Sequence, residues 1–348
     1  MQEEFRSWIN RIVSTFSARL EKNIAANKSL KCKVVFGPVV SRRLGKIIGI
    51  NNIKPGVCSY DCVYCPSGKT NFCSVCTNYC LSPYQLHLSV KTKLEELESD
   101  NQKIDFIVFA GSGEPTLDSG LSKEISLLRE FGFEIAVFTN SSLLWNTNVR
   151  ESLLFADLVS LKIDTVKEET WLKMNRPHRR LDYNIILDGI KQFSKKFKGR
   201  LVTETMLIKN INDNADEIEH LSKYLNVLNH SASYFLVPMY PPAVNYAVSP
   251  EPETLSMLSP VIKEKIPNSV LLCCPEKEEF YATDDFEGEL LGLLSIHPVN
   301  VDAVKHFIKG NGEEKILNDL IEKQMIKVIE YRGKKYFTID SAANINTV

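Results

Sequence analysis

At 348 residues the chain is too long for one small core and suits a large α/β domain with a smaller appendage. Its 44% apolar and 24% charged residues fit a soluble globular protein, and a net charge of −1 offers no global basic field for nucleic acid. No apolar run approaches the roughly 18 residues of a membrane span, and the N-terminus MQEEFRSWINRIV lacks a basic-then-apolar leader. The protein is therefore expected in the cytoplasm, where nine cysteines point to metal rather than disulfides.

In chain order, Phe5, Trp8, Ile9, Ile12, Val13, Phe16 and Leu20 recur at helical spacing, which predicts an amphipathic helix over 3–27. This helix, within a unit 1–33, is expected to cover a face of the main domain; a membrane-surface role is the alternative. Lys46–Ile53 reads as a short buried strand. The preceding Ser41, Arg42 and Arg43 form either a solvated turn or an anion contact near the mouth of a barrel. From residue 83 helices and apolar strands alternate. Helices are expected at 83–99, 119–131, 146–155, 167–174, 183–197 and 214–228. Strands are expected at 104–110, 134–140, 157–164, 200–208 and 233–239. Such alternation implies parallel βαβ units in a sheet buried on both faces. The fold class is α/β, a partial (β/α)6 barrel of TIM-like type spanning 34–274. Helix 252–264 and strand 269–274 close it, and 275–286 reads as an acidic linker. Residues 287–348 read as three helices and a hairpin turning at Gly333, an order that resembles a winged helix.

The stretch Gly56–Cys65, GVCSYDCVYC, places Cys58, Cys62 and Cys65 in C-x3-C-x2-C spacing directly after the first barrel strand. Barrel chemistry sits beyond the C-terminal strand ends, so this loop lies at the active end. A structural zinc site normally closes with four ligands, whereas this group stops at three. An Fe–S cube on three cysteines keeps one iron open. A buried or zinc-binding cysteine loop is the competing reading. The second strand ends in Ala110-Gly111-Ser112-Gly113-Glu114-Pro115, whose glycines permit a close backbone approach to a ligand. Polar residues crowd later strand ends: Thr139, Asn140 and Ser141; Ser160, Lys162 and Asp164; Thr203, Glu204 and Thr205.

At these residues the chain resembles the radical S-adenosylmethionine (SAM) superfamily, in the three-cysteine spacing, in Tyr64 before the third cysteine, and in Gly113-Glu114. The resemblance implies a [4Fe–4S] cluster on Cys58, Cys62 and Cys65 whose open iron is chelated by the amino and carboxylate groups of SAM. It also implies reductive cleavage to a 5′-deoxyadenosyl radical, with electrons from a donor such as flavodoxin or ferredoxin. Gly111, Gly113 and Glu114 are then expected at the methionine amine, and Asp164, Ser160 and Asn140 at the ribose and carboxylate. The segments FGPVVSRRLGKIIGI, MNRPH and VPMYPPAVNYAVSPEPE are similar to the wyosine-base-formation-like branch. A tRNA base, a protein and a small metabolite remain open as substrates.

Cys73, Cys76 and Cys80 add C-x2-C-x3-C eight residues after Cys65. This spacing suits a second Fe–S cluster or a zinc site, with Cys32, Cys273 or Cys274 as fourth ligand. In the tail only the hairpin, with Lys327, Arg332, Lys334 and Lys335, is basic, which favours protein contact or covering of the active site over RNA contact. The rival function from another class is a non-enzymatic Fe–S or zinc sensor acting through the winged-helix-like tail.

Overall fold

The computed structural model describes residues 33–340, apart from 79, 274–278, 283–284 and 309. The helix expected over 3–27, together with Cys32 and Cys274, lies outside them. The strands of the main body are β1 (Val35–Ser41), β2 (Gly45–Ile50), β3 (Val57–Cys58), β4 (Phe72–Cys73), β5 (Phe106–Phe109), β6 (Glu134–Thr139), β7 (Leu158–Lys162), β8 (Arg200–Met206), β9 (Ala232–Leu236) and β10 (Ser269–Leu272). Eight of them form one sheet in the order β1-β2-β5-β6-β7-β8-β9-β10. Every neighbour from β2 to β10 is parallel, and only β1 runs antiparallel to β2. The helices α1 (Pro83–Ser99), α2 (Leu121–Leu128), α3 (Thr147–Leu153), α4 (Glu168–Asn175), α5 (Tyr183–Lys196), α6 (Ala215–Leu225) and α7 (Pro252–Lys265) connect the parallel strands. This is a partial TIM-like barrel, as the alternating pattern implied. Among the described residues no helix is long and apolar enough to cross a membrane.

The strands are apolar runs because both faces are covered. Ile48, Ile107, Phe109, Ile135, Val137, Val159 and Leu161 sit in the main core with Leu86, Val90, Ile125, Ile186 and Phe193 from the helices. Val108, Ala136, Leu158 and Val202 line the inner face, with Phe106 and Ile47. Burial of such side chains contributes roughly 1.5–3 kcal/mol each.

The β1–β2 hairpin corrects the reading of Ser41, Arg42 and Arg43. Its turn precedes β2, so it lies at the N-terminal end of the strands and not at the mouth. Arg43 enters the barrel from that end. Its guanidinium pairs with Glu204 on β8 and stacks 4.7 Å from the Phe138 ring and 5.3 Å from the Tyr234 ring. Arg42 Nη1 donates to the Leu272 carbonyl of β10 at 3.2 Å, across the opening between the sheet's edges. Burial pulls the Glu204 carboxyl up, but the Arg43 and Lys162 charges and the Ser160 hydroxyl outweigh it and hold the group at about 2.

A second core belongs to the C-terminal elements α8 (Phe286–Leu294), β11 (Val299–Asn300), α9 (Val301–Phe307), α10 (Asn311–Glu322), β12 (Ile326–Tyr331) and β13 (Lys334–Ile339). The three strands pair in the order β11-β13-β12. Phe280, Ala282 and Phe286, from the stretch read as a linker, are buried in this core, and Phe36 of β1 joins it. The apolar residues of that stretch pack, whatever its acidic composition suggests. Glu289 of α8 is 1% exposed and accepts from Lys93 Nζ of α1 at 2.6 Å, from Lys33 Nζ at 2.9 Å and from the Gly37 N–H at 3.3 Å. The C-terminal elements are thereby fastened to the β1 edge.

The pairing of Arg43 with Glu204 predicts a strong penalty for breaking one side. Arg43→Met leaves the buried Glu204 carboxylate with only the Ser160 hydroxyl at 2.6 Å and the Lys162 ammonium at 4.0 Å, and should cost up to roughly 3–5 kcal/mol, while Arg43→Met combined with Glu204→Leu should recover most of it. Urea denaturation of the two singles and the double checks this; purely additive losses would contradict it.

Candidate functional site

The cysteine loop leaves β2 and runs along residues 174–178, the MNRPH segment. The Val63 N–H donates to the Met174 carbonyl at 2.8 Å, the Asp61 N–H to Asn175 at 3.0 Å, and the His178 N–H to Ser59 at 2.9 Å. Helix α4 ends here because Arg176 takes a left-handed φ of 42°. Tyr60 anchors the loop by accepting from Trp171 Nε1 at 3.0 Å.

Two side-chain amides aim at the sulfurs. Asn140 Nδ2 lies 3.4 Å from Cys58 Sγ and 2.9 Å from Ser59 Oγ. Asn175 Nδ2 lies 3.4 Å from Cys62 Sγ and also donates to Asp164 Oδ2 at 2.8 Å and Tyr64 Oη at 3.1 Å. Burial pushes the Cys58 thiol well above its usual range, the Cys62 thiol to about 12, and the Cys65 thiol upward. Thiols held neutral are poor nucleophiles, and a bound metal displaces their protons. Among the described residues no three Cys, His, Asp or Glu side chains close on a point the size of one ion. The chemistry of Cys58, Cys62 and Cys65, with amide donors turned to two of them, fits a thiolate-held cluster.

The Gly111–Pro115 turn lies directly against this loop. The Gly56 N–H donates to the Ser112 carbonyl at 3.1 Å, and the Glu114 N–H to Val57 at 3.3 Å. A Cβ at Gly113 would stand 2.1 Å from the Val57 carbonyl oxygen, and one at Gly111 2.2 Å from Asn51 Oδ1. Only glycine allows this approach. Glu114 is 1% exposed. Its Oε1 accepts from the Thr116 N–H at 3.0 Å, Thr116 Oγ1 at 2.5 Å and Thr139 Oγ1 at 2.6 Å; its Oε2 accepts from the Asn140 N–H at 2.7 Å. Burial raises its pKa and these donors oppose the rise. The carboxylate thus ties the β5 turn to the end of β6 and sets Asn140 over Cys58.

Tyr64 and Asp164 meet: the Tyr64 hydroxyl donates to Asp164 Oδ2, and Asp164 Oδ1 accepts from the Met206 N–H at 2.8 Å. Lys162 Nζ lies 5.1 Å over the Tyr64 ring. The structure therefore gathers Cys58, Cys62, Cys65, Tyr64, Gly111, Gly113, Glu114, Asn140 and Asp164 around one loop. Ser160 stands apart, donating at 2.6 Å to Glu204 in the Arg43 network. Asn175 was not singled out by sequence reasoning as a site residue. Its signal was the MNRPH segment, whose pairing with the cysteine loop spans more than a hundred residues.

The second cysteine set begins beside the first. β3 and β4 pair in parallel with Cys58 in register with Cys73, and the Ser74 N–H donates to the Cys58 carbonyl at 2.9 Å. Cys73 and Cys80 are half-buried and Cys76 is exposed. The far end of this segment is fixed to the β5 turn, where the Asn78 N–H donates to Leu117 at 3.0 Å and the Ser119 N–H to Asn78 at 3.1 Å. Burial and the neighbouring Asp118 carboxylate push Glu124 to about 8. Glu124 Oε2 accepts from Asn52 Nδ2 at 3.2 Å and Asp118 Oδ1 from the Gly120 N–H at 2.7 Å, while the other oxygen of each has no hydrogen-bond partner among the described residues.

Asn175 carries a direct expectation. Asn175→Ala strips donors from Cys62, Tyr64 and the buried Asp164, and should cost about 1–3 kcal/mol. Thermal denaturation of the metal-free protein measures the loss; unchanged stability would show that the amide is dispensable to the loop.

Comparison with known proteins agrees with this geometry. Residues 53–225 match the radical SAM superfamily. The chain is 38% identical over 307 residues to UPF0026 protein MJ1312 of Methanocaldococcus jannaschii, covering 87% of this chain and 95% of that protein. It is 30% identical over 200 residues to a UPF0026 protein of Helicobacter pylori strain J99, covering 56% of this chain and 63% of that protein. Among solved structures, a radical SAM methyltransferase from Sphaerobacter thermophilus shares the fold with a TM-score of 0.54 at 15% identity, over 66% of this chain and 67% of the other. Streptococcus suis SuiB bound to precursor peptide SuiA shares it with a TM-score of 0.51 at 13% identity, over 74% and 53%. The superfamily uses a [4Fe–4S] cluster and SAM. The loop, the glycine turn and the barrel are thus those of a chain that belongs to the radical SAM superfamily, with UPF0026 proteins as its relatives.

Proposed function

We propose that this protein is an enzyme that cleaves SAM reductively and uses the resulting radical to take a hydrogen atom from its substrate. The observation that carries the reading is the set of three thiols with Asn140 and Asn175 amides at 3.4 Å from two sulfurs, against a turn that only glycine can form. When bound, the cluster would supply the one electron that breaks the SAM sulfonium bond. Cys58, Cys62 and Cys65 would hold it. The Asn140 and Asn175 N–H groups would stabilise the added negative charge on the sulfurs after reduction. The Gly111–Pro115 turn, packed against Val57 and Asn51, would hold the cysteine loop beside the methionine end of SAM, and Glu114 would act chiefly by fixing that turn and the Asn140 amide. Lys162, over the Tyr64 ring, lies 3.9 Å from Asp164 Oδ1 and 4.0 Å from Glu204 Oε2 and would help to hold Asp164 and Tyr64 in place. An electron donor of the flavodoxin or ferredoxin kind would reduce the centre.

The proposal extends to the second triplet. Because Cys73 is in register with Cys58, a metal held by Cys73, Cys76 and Cys80 would stand beside the first loop. The alanine triples at Cys58/Cys62/Cys65 and at Cys73/Cys76/Cys80 separate the two assignments. After anaerobic reconstitution the first should lose about four irons and all 5′-deoxyadenosine formation with dithionite. The second should lose its own metal and keep SAM cleavage. Cleavage surviving in the first triple would overturn the assignment of Cys58, Cys62 and Cys65, no cleavage by wild type would overturn the enzymatic reading, and unchanged metal content in the second triple would remove the second centre.

A further inference from the structure

The cleft of about 430 Å³ beside the cysteine loop is not accounted for by the barrel alone. One wall is the segment that follows Cys65, with Pro66 and Lys69; the floor includes Ser112 of the glycine turn; the opposite wall is the C-terminal hairpin, with Lys327 and Ile329; Pro242, beyond β9, completes it. Both walls are pinned. Ser67 Oγ donates to the Ile296 carbonyl at 2.6 Å, Arg332 Nη1 to Pro238 at 3.3 Å, and Tyr240 stacks on His297 with ring centres 4.5 Å apart. Asn51 Nδ2, 3.2 Å from Ser112 Oγ and 3.5 Å from Ser295 Oγ, joins floor and wall.

The charge of this cleft is one-sided. Its described lining contains two lysines and no carboxylate. Lys327 has a partner, Asp340, at 3.4 Å, in a pair whose side chains are 45% and 24% exposed. Lys69 is exposed and has no partner among the described residues. Ser112 is 7% exposed, accepts from Asn51, and has no described acceptor for its own proton. A volume of this order suits a small molecule.

We propose that this cleft is the substrate site, and that the substrate is a small molecule bearing a carboxylate or phosphate, held by Lys69, Lys327 and the Ser112 hydroxyl, with its apolar part against the prolines and Ile329. The proposal takes its chemistry from the radical SAM reading but makes a binding claim of its own. In it the C-terminal hairpin is a wall of the active site, facing the barrel.

Calorimetric titration of the reconstituted protein with succinate and with pyrophosphate, at low and raised salt, tests the binding claim. At least one probe should bind saturably and weaken with salt, and the stronger one identifies the headgroup. Lys69→Gln and Lys327→Gln should each weaken it by about tenfold or more. Ala243→Phe, which fills the cleft without changing charge, should abolish it. Binding of neither probe, or equal binding by wild type and all three variants, would overturn the proposal, as would an RNA or protein that binds wild type and Ala243→Phe alike and stimulates SAM cleavage in both. SAM cleavage by the same wild-type sample is measured separately, so failure of the radical reading is read apart from failure of the cleft.

Discussion

Asp164 is 5% exposed and gives both carboxylate oxygens to neighbours: Tyr64 and Asn175 on one, the Met206 N–H on the other. A buried carboxylate is costly unless its lone pairs are met, so this site holds its partners in place. Tyr64 belongs to the cysteine loop and Asn175 to the end of α4, so one side chain just beyond β7 ties both to the barrel wall. Asn175 in turn reaches Cys62, while Glu114 sets Asn140 over Cys58 from the opposite side. The loop is therefore held by two polar braces, one from each side, and each ends in an amide directed at a sulfur.

The rest of the molecule manages the consequences of an unclosed barrel. An open parallel sheet leaves two edges. At one, β1 is covered by α8 through Glu289 and its lysines. Across the opening, the β1–β2 turn sends Arg42 to β10 and Arg43 into the interior. Charge and aromatic rings thus fill the barrel interior, while the C-terminal end keeps the cysteine loop. The C-terminal hairpin narrows that end to a cleft with a cationic lining.

Much of this was legible in the sequence, for physical reasons. Strands such as IDFIVFA and EIAVFTN are continuous apolar runs because both sheet faces are buried, and the cysteine spacing and the Gly-Ser-Gly-Glu-Pro turn are local. What escaped depended on distant partners. Arg43 reads as a turn residue until Glu204 on β8 is placed opposite it. Asp164 and Ser160 look alike as polar residues on one strand, yet one braces the cysteine loop and the other joins the Arg43 network. Phe280 and Phe286 sit among acids, and composition hides their burial. Strand β1, broken by Gly37 and Pro38, lacks the alternation that marks a hairpin.

The central claim is that Cys58, Cys62 and Cys65 present an open iron to the amino and carboxylate groups of SAM. Electron–nuclear double resonance of the dithionite-reduced protein, with SAM carrying nitrogen-15 in its amino group, tests this most directly. The account predicts a nitrogen-15 coupling that appears on adding labelled SAM and is absent from the unlabelled sample. A reduced cluster whose spectrum is indifferent to SAM would contradict it.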